Sequence, residues 1–248
     1  MKNRKTNFIM LMLSSVLCFT ACNNADNERN DHSTTNEEDI SSEQLSVKMG
    51  NQENEEDISS EQLSVKIGNQ EWASENLNVD KFKNGDAIPE AQTEEAWQKA
   101  GEEGKPAWCY YENDPKNGDK YGKLYNWYAV TDPRGLAPSG WHVPRNAEWT
   151  KLTDYLGGKD AAGDKMKSKE GWKDNGNGGN ESGFSGLPGG TRYSFGTFGN
   201  IGYNGNWWSS TEGTTNNAWN RSLDYNYGNV TSYNVNKTNG FSVRCLRD

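Results

Sequence analysis

The chain holds two histidines, His32 and His142, and four cysteines, Cys18, Cys22, Cys109 and Cys245. A zinc or iron centre needs several clustered ligands, and one histidine in the aromatic-rich part of the chain does not supply them. No metal and no cofactor is therefore expected. His142, between Trp141 and Val143, reads as a packed residue rather than a general base. One histidine leaves a Ser-His-Asp arrangement arithmetically open, but Gly183-Phe184-Ser185-Gly186 lacks the spacing of a nucleophile elbow. Two oxygen-rich stretches, 112–119 and 174–181, could ligate calcium. Neither follows the EF-hand pattern, and turns in which these side chains bond their own backbone are the expected use. No enzymatic activity is expected.

Aromatic rings are the remaining chemistry. Trp207, Trp208, Trp219, Tyr225, Tyr227 and Tyr233 fall in a Gly- and Asn-rich half, where a flat ring beside amide donors can stack on a sugar. Trp207, Trp208 and Trp219, with Arg192, Glu212 and Arg221 as polar support, form the candidate set for a glycan or protein ligand. Adjacent residues of an extended segment face opposite sides, so Trp207 and Trp208 are expected to leave one ring accessible. Against this stands the tendency of large rings in a small domain to form its core.

All ten tryptophans and all eleven tyrosines lie beyond residue 63, which marks 63–248 as the packed part. Residues 63–67 alternate apolar and polar and read as a first strand. A helix is expected over 147–156, where Trp149, Leu152 and Leu156 share a face, Pro144 precedes and Gly157-Gly158 stop it. A second is expected over 121–130, with Leu124, Trp127 and Tyr128 inward, and a turn or two over 94–100. Between 171 and 213 there are 13 glycines in 43 residues, so loops and short strands replace long helices. The β-rich runs 218–223, 225–232 and 240–246 then suggest a closing antiparallel sheet. Strand, helices, irregular middle and strands make an α+β fold rather than a doubly wound one.

At the other end, Lys2, Arg4 and Lys5 precede an apolar run over 8–17 and the residues Thr20-Ala21-Cys22. That is the layout of a cleaved secretory signal over 1–21, and the run is too short to span a ~30 Å bilayer as a helix. The last three residues resemble the lipobox of bacterial lipoproteins, which implies acylation of Cys22. Three acyl chains would anchor firmly, at roughly 0.8 kcal/mol per buried CH₂. Residues 22–62 are rich in Asn, Asp, Glu and Ser and read as an acidic tether that buries too little to order itself. Within it, 36–53 recurs as 54–71 with only Met49 and Ile67 different. One strand slot cannot hold both copies, so the first reads as a spare local duplication. With 35 acidic against 26 basic residues, the chain argues against a nucleic-acid partner. In an oxidising compartment Cys109 and Cys245 are expected to pair, closing a long loop worth ~4 to 5 kcal/mol. The alternative is two separately buried thiols.

Several segments resemble the Fibrobacter succinogenes major paralogous domain family: Trp108-Cys-Tyr-Tyr-Glu-Asn-Asp-Pro115, Tyr121-Gly-Lys-Leu-Tyr-Asn-Trp-Tyr-Ala-Val130, Gly140-Trp-His-Val-Pro144 and Ala147-Glu-Trp149. Gly183-Phe-Ser-Gly-Leu-Pro-Gly-Gly190, Trp207-Trp-Ser-Ser-Thr-Glu212 and Gly240-Phe-Ser-Val-Arg-Cys245 continue the match in order. Ser or Thr is common in that family where this chain has Arg145, so the capping oxygen for the helix must come from elsewhere, with Asn146 a candidate. The Val-Pro-x-x-Ala-Glu-Trp and terminal segments also resemble formylglycine-generating enzymes, which implies a C-type-lectin-like fold with the strand near Val65 beside Val243. The sugar-binding triplets of calcium-dependent lectins are missing, since Trp219-Asn220 is followed by Arg221. The resemblance implies an exported, lipid-anchored protein of the cell envelope. The expectation is an outer-membrane lipoprotein, with the acidic residues after Cys22 pointing to the surface. It would serve as a binding module for a glycan or protein, the alternative being a structural or adhesin-type component.

Overall fold

The computed structural model describes residues 63–248, so the expected signal, Cys22, the expected tether and the first repeat copy lie outside the described residues. The described part is α+β. In chain order it runs β1 (Ser64–Ile67), β2 (Gln70–Ala73), α1 (Glu94–Glu102), β3 (Trp108–Cys109), α2 (Pro115–Tyr121), β4 (Leu124–Tyr125), α3 (Trp127–Val130) and β5 (Trp141–His142). There follow α4 (Asn146–Tyr155), α5 (Lys159–Met166), β6 (Gly189–Arg192), β7 (Phe198–Ile201), β8 (Asn204–Glu212), β9 (Asn217–Asp224), β10 (Val230–Thr231), β11 (Asn234–Asn236) and β12 (Leu246–Arg247). Among the described residues no helix is long and apolar enough to cross a membrane.

The first strand forms as its alternation requires: Ile67 is buried and Val65 half-buried, while Ser64 and Lys66 face out. Its turn to β2 has Gly68 at φ +61°, and a Cβ there would lie 2.8 Å from the Tyr155 ring, so both backbone and space demand glycine. The sheet order β1-β2-β12-β5 brings the two ends of the domain together. The terminal strand lies beside β2, pairing Leu246 with Trp72, and β1 is the edge. Val243 meets Leu77 instead of Val65, accepting the Leu77 amide at 2.8 Å.

The segment 240–246 does not form one continuous strand. It changes partner almost residue by residue: Gly240 exchanges bonds with Arg192, Phe241 with Tyr125, and Ser242 bonds Asn206 and Trp208 of β8. Only Leu246 and Arg247 form a strand. The run 225–232 shortens likewise to β10, because Asp224 accepts from the Asn226 amide at 2.8 Å and turns the chain.

Helix α4 begins at Asn146, one residue before the sequence expectation. The missing capping oxygen comes from β8: Thr211 Oγ1 accepts the Asn146 amide at 2.9 Å, while Glu148 takes the Arg145 amide at 2.7 Å. Over 121–130 the expected helix is confined to α3, four residues long. Leu124 and Tyr125 are drawn into a two-residue ladder with β3, and Asn126 then caps α3 by accepting from Ala129. The ladder pairs Cys109 with Leu124, while Trp108 bonds Pro89 and Ala91 on its other edge and Tyr125 bonds Phe241.

Three buried clusters share these elements. The largest gathers Tyr125, Trp127, Trp208, Phe241 and Val243. A second holds Trp72, Trp149, Leu152, Phe184 and Trp207, and a third Trp97, Cys109, Tyr111 and Leu124. This arrangement overturns the expected disulfide. Cys109 and Cys245 are both free and buried. Cys109 packs with Leu124 and Cys245 lies in the cluster of Tyr125, on opposite sides of β4, because neighbouring residues of a strand point apart.

Two outcomes are expected from this packing. Thr211→Val should destabilise the domain by about 1 kcal/mol in urea unfolding, as loss of a capping oxygen does; an unchanged midpoint would remove Thr211 from the cap. Burial pushes the thiol of Cys109 up to about 11 and that of Cys245 up to about 12. Only the thiolate is nucleophilic, so burial leaves both thiols protonated and unreactive near pH 8. Peptide mass spectrometry after maleimide treatment should find both unlabelled in native protein and both labelled in denaturant, without prior reduction. A disulfide-linked peptide pair would contradict the structure.

Candidate functional site

The six residues expected to face a ligand divide sharply once their elements are in place. Trp207 and Trp208 do face opposite sides of β8, but both sides are core: they are 1% and 0% exposed. Trp207 enters the cluster of Phe184 and donates Nε1 to Asn76 Oδ1 at 2.8 Å; Trp208 stacks near Phe241 and donates to the Tyr125 carbonyl at 2.8 Å. The expected accessible ring is absent because a hydrophobic cluster packs on each face of β8, that of Trp72, Trp149 and Phe184 over Trp207 and that of Tyr125 and Phe241 over Trp208. Neither tryptophan can stack on a sugar.

Arg192 is likewise scaffold. It is fully buried between Trp97 and Phe198, and its guanidinium donates to the carbonyls of Ala91, Thr93 and Gly196. Those carbonyls belong to irregular backbone that no strand satisfies, which is why a five-donor fork sits there. Glu212 is exposed and pairs with Lys237, whose buried ammonium also donates to the Thr215 carbonyl at 2.7 Å and lies over Trp127. The acid therefore closes the β8 to β9 turn.

Arg221 and Trp219 remain. They occupy one face of β9, two residues apart, and Trp219 is half-buried in register with Asn234 of β11. Arg221 spans from β9 to α4, donating to Asn146 Oδ1 at 2.6 Å and to Thr150 Oγ1 at 3.2 Å. Burial lowers its pKa to about 10, so it stays charged at neutral pH without a carboxylate partner among the described residues. It lines a groove of about 400 Å³ between α4, the start of α5 and β10, together with Thr150, Asp154, Asp160, Thr231 and Tyr233. The Tyr233 ring is 53% exposed. Of the aromatic residues of the C-terminal half, Tyr233 is the one that lines this groove beside a cation, carboxylates and hydroxyls.

The oxygen-rich stretches are turns. Glu112 and Asn113 adopt left-handed backbone at φ 54° and 56°, and Asp114 caps α2 by accepting from Lys116 at 3.0 Å. Asn113 and Asn117 donate to the carbonyls of Gln92 and Tyr111. In the second stretch Asn177 accepts the Trp172 amide and Asn180 the Ser185 amide. His142 is not packed inside but half-exposed, with Nδ1 2.8 Å from Asp248 and Nε2 3.1 Å from Glu148. Both ring nitrogens are engaged, so it clamps the end of the described chain onto α4 and has no free nitrogen to offer a substrate.

A second cleft, of about 550 Å³, was not foreseen. It lies between 74–78, the end of α2 and the loops 168–170 and 180–187, with Arg244 among its lining residues. The signal was present in the sequence: an arginine inside the otherwise apolar run Phe241-Ser-Val-Arg-Cys245 has to be buried with acceptors, or beside a ligand.

No curated protein and no solved structure matched the chain in comparison. The model of the Fibrobacter succinogenes major domain matches residues 65–247, from β1 through β12. Because that match covers well over half of the chain, this chain belongs to the Fibrobacter succinogenes major domain family.

Proposed function

We propose that the protein is a lipid-anchored module of the cell envelope that binds a glycan in the groove of Tyr233 and Arg221, without transforming it. The observation that carries the reading is the exposed Tyr233 ring beside Arg221, Asp154 and Asp160. An aromatic face with flanking carboxylates and hydroxyls matches the two demands of a sugar ring: a flat apolar surface for its C–H face, and acceptors for its hydroxyls. Burial of Arg221 and its bonds to Asn146 and Thr150 hold that donor in place before the ligand arrives.

The family membership and the amino-terminal order of basic residues, apolar run and Cys22 support the anchor. In this reading the acylated cysteine sits in the outer membrane and 22–62 connects it to the domain. The pairing of β12 with β2 agrees with a lectin-like ancestry, because that architecture also brings its terminal strands together.

A glycan array probed with the full chain should give binding that falls by about 2 kcal/mol or more in Tyr233→Ala, as truncation of an aromatic anchor does. Thermal unfolding of that variant should shift by no more than about 0.5 kcal/mol, since the ring is exposed. Absence of binding to any array glycan, or binding indifferent to Tyr233, would sink the glycan reading, and self-association in its place would favour the adhesin alternative. Fatty-acid labelling in the producing cell should mark the chain and vanish in Cys22→Ser; an unlabelled wild-type chain would remove the anchor.

A further inference from the structure

We infer that the cleft lined by Arg244 is a second binding site, built for a polyhydroxylated carboxylate of the uronic-acid class. Its volume, about 550 Å³, is that of a small-ligand pocket. Six charged side chains line it: Lys120, Lys169 and Arg244 against Glu75, Asp119 and Glu170. None forms an ion pair with another described residue, whereas Lys167 and Lys237 do.

Arg244 makes the case specific. It is 1% exposed, with no carboxylate in ion-pair range among the described residues. Its Nη1 is spent on the carbonyls of Ala73, Ser74 and Phe184 at 3.1, 3.0 and 2.6 Å. Nε and Nη2 both lean on one atom, Asn76 Oδ1, at 3.2 and 2.9 Å, and that oxygen also accepts Trp207 Nε1. An amide oxygen has two lone pairs and a guanidinium has five N–H donors. Three donors on one oxygen, with one Nη2 proton left over, make an under-satisfied cation. Desolvation pulls the Arg244 pKa down to about 9, and the Glu75 charge, outside ion-pair range, offsets it only in part. A carboxylate reaching Nη2 would supply both the acceptor and the charge.

The rest of the lining says what else the ligand carries. Glu75, Asp119 and Glu170 accept hydroxyl protons, and Ser168, Ser185 and Asn180 add polar contacts. Leu187 is the single apolar side chain of that lining apart from the aliphatic stems of the charged residues, so an acidic peptide with large side chains gains little. Three acids also oppose the double charge of a phosphate. One carboxylate surrounded by hydroxyls fits both halves of the site. Because the whole chain carries a net charge of −9, the attraction has to be local, at contact range inside the cleft.

The test is calorimetric titration of the purified full chain with oligosaccharides of galacturonate, glucuronate and mannuronate, and with their carboxyl-reduced counterparts. At least one acidic oligosaccharide should bind, and its reduced form should be weaker by more than about tenfold. Arg244→Lys should abolish the preference if it folds. Lys120→Gln and Lys169→Gln alter only exposed side chains and should each weaken acidic binding about fivefold with unchanged unfolding temperature. Tyr233→Ala should leave this binding intact, which separates it from the groove of the proposed function. Equal affinity for acidic and reduced forms, no binding of any acidic form, or acidic binding lost with Tyr233 instead of Lys120 would each overturn the inference.

Discussion

Eight residues, Gly240 to Arg247, hold this domain together through their main chain. Within that span the backbone bonds Arg192 of β6, Tyr125 of β4, Asn206 and Trp208 of β8, Leu77, Ala73 and finally Trp72 and His142. The partners come from five separate stretches, residues 72–77, β4, β5, β6 and β8, of which β5 has no other ladder among the described residues. Strands of two to four residues are weak units in isolation. Here they are made cooperative by sharing one thread, so loss of the thread would unpair several small sheets at once. The thread also brings Phe241 and Val243 into the cluster that covers the Trp208 face of β8, while the cluster of Trp72 and Phe184 covers the Trp207 face.

A fold with so little regular structure leaves many carbonyls without a ladder partner, and buried cations serve them. Arg192 bonds the carbonyls of 91–93, Arg244 those of Ala73, Ser74 and Phe184, Lys167 those of Asp224 and Tyr227, and Lys237 that of Thr215. Lys123 does the same for Asn78. Each of these cations also lies over an aromatic ring: Trp97 and Phe198, Phe184, Trp172, Trp127, and Trp108. The ring face compensates part of the lost hydration without competing for the N–H donors. Aromatic abundance and buried charge are thus two sides of one solution to backbone satisfaction, which is why so few of the large rings reach the surface.

The sequence made the α+β order, the first strand and the helix at α4 legible, because alternation and a three-to-four spacing act locally. It misplaced the features that depend on distant partners. Leu124 and Tyr125 look helical next to Trp127, yet Trp108 and Cys109 claim them for a ladder. Cys109 and Cys245 look like a pair by count and compartment, but β4 stands between their clusters. Trp207 and Trp208 alternate as an extended segment requires, but neither is accessible, since nothing local tells that both faces of the strand are covered. Arg192 and Arg221 are chemically identical in sequence. One is walled in by carbonyls of 91–93, a hundred positions away, and the other lines an open groove.

That contrast gives a physical criterion for separating scaffold from site in this domain. A buried guanidinium whose arms all end on main-chain carbonyls has completed its work on folding, as Arg192 has. Arg244 has one arm filled by three carbonyls and the other sharing an amide oxygen already taken by Trp207. Leaving a donor of a buried charge short of acceptors opposes stability. For folding alone, one more acceptor at Nη2 would serve better. Arg244 thus serves the fold through Nη1, and the Nη2 proton left where a polar cleft opens is what the inferred carboxylate would complete.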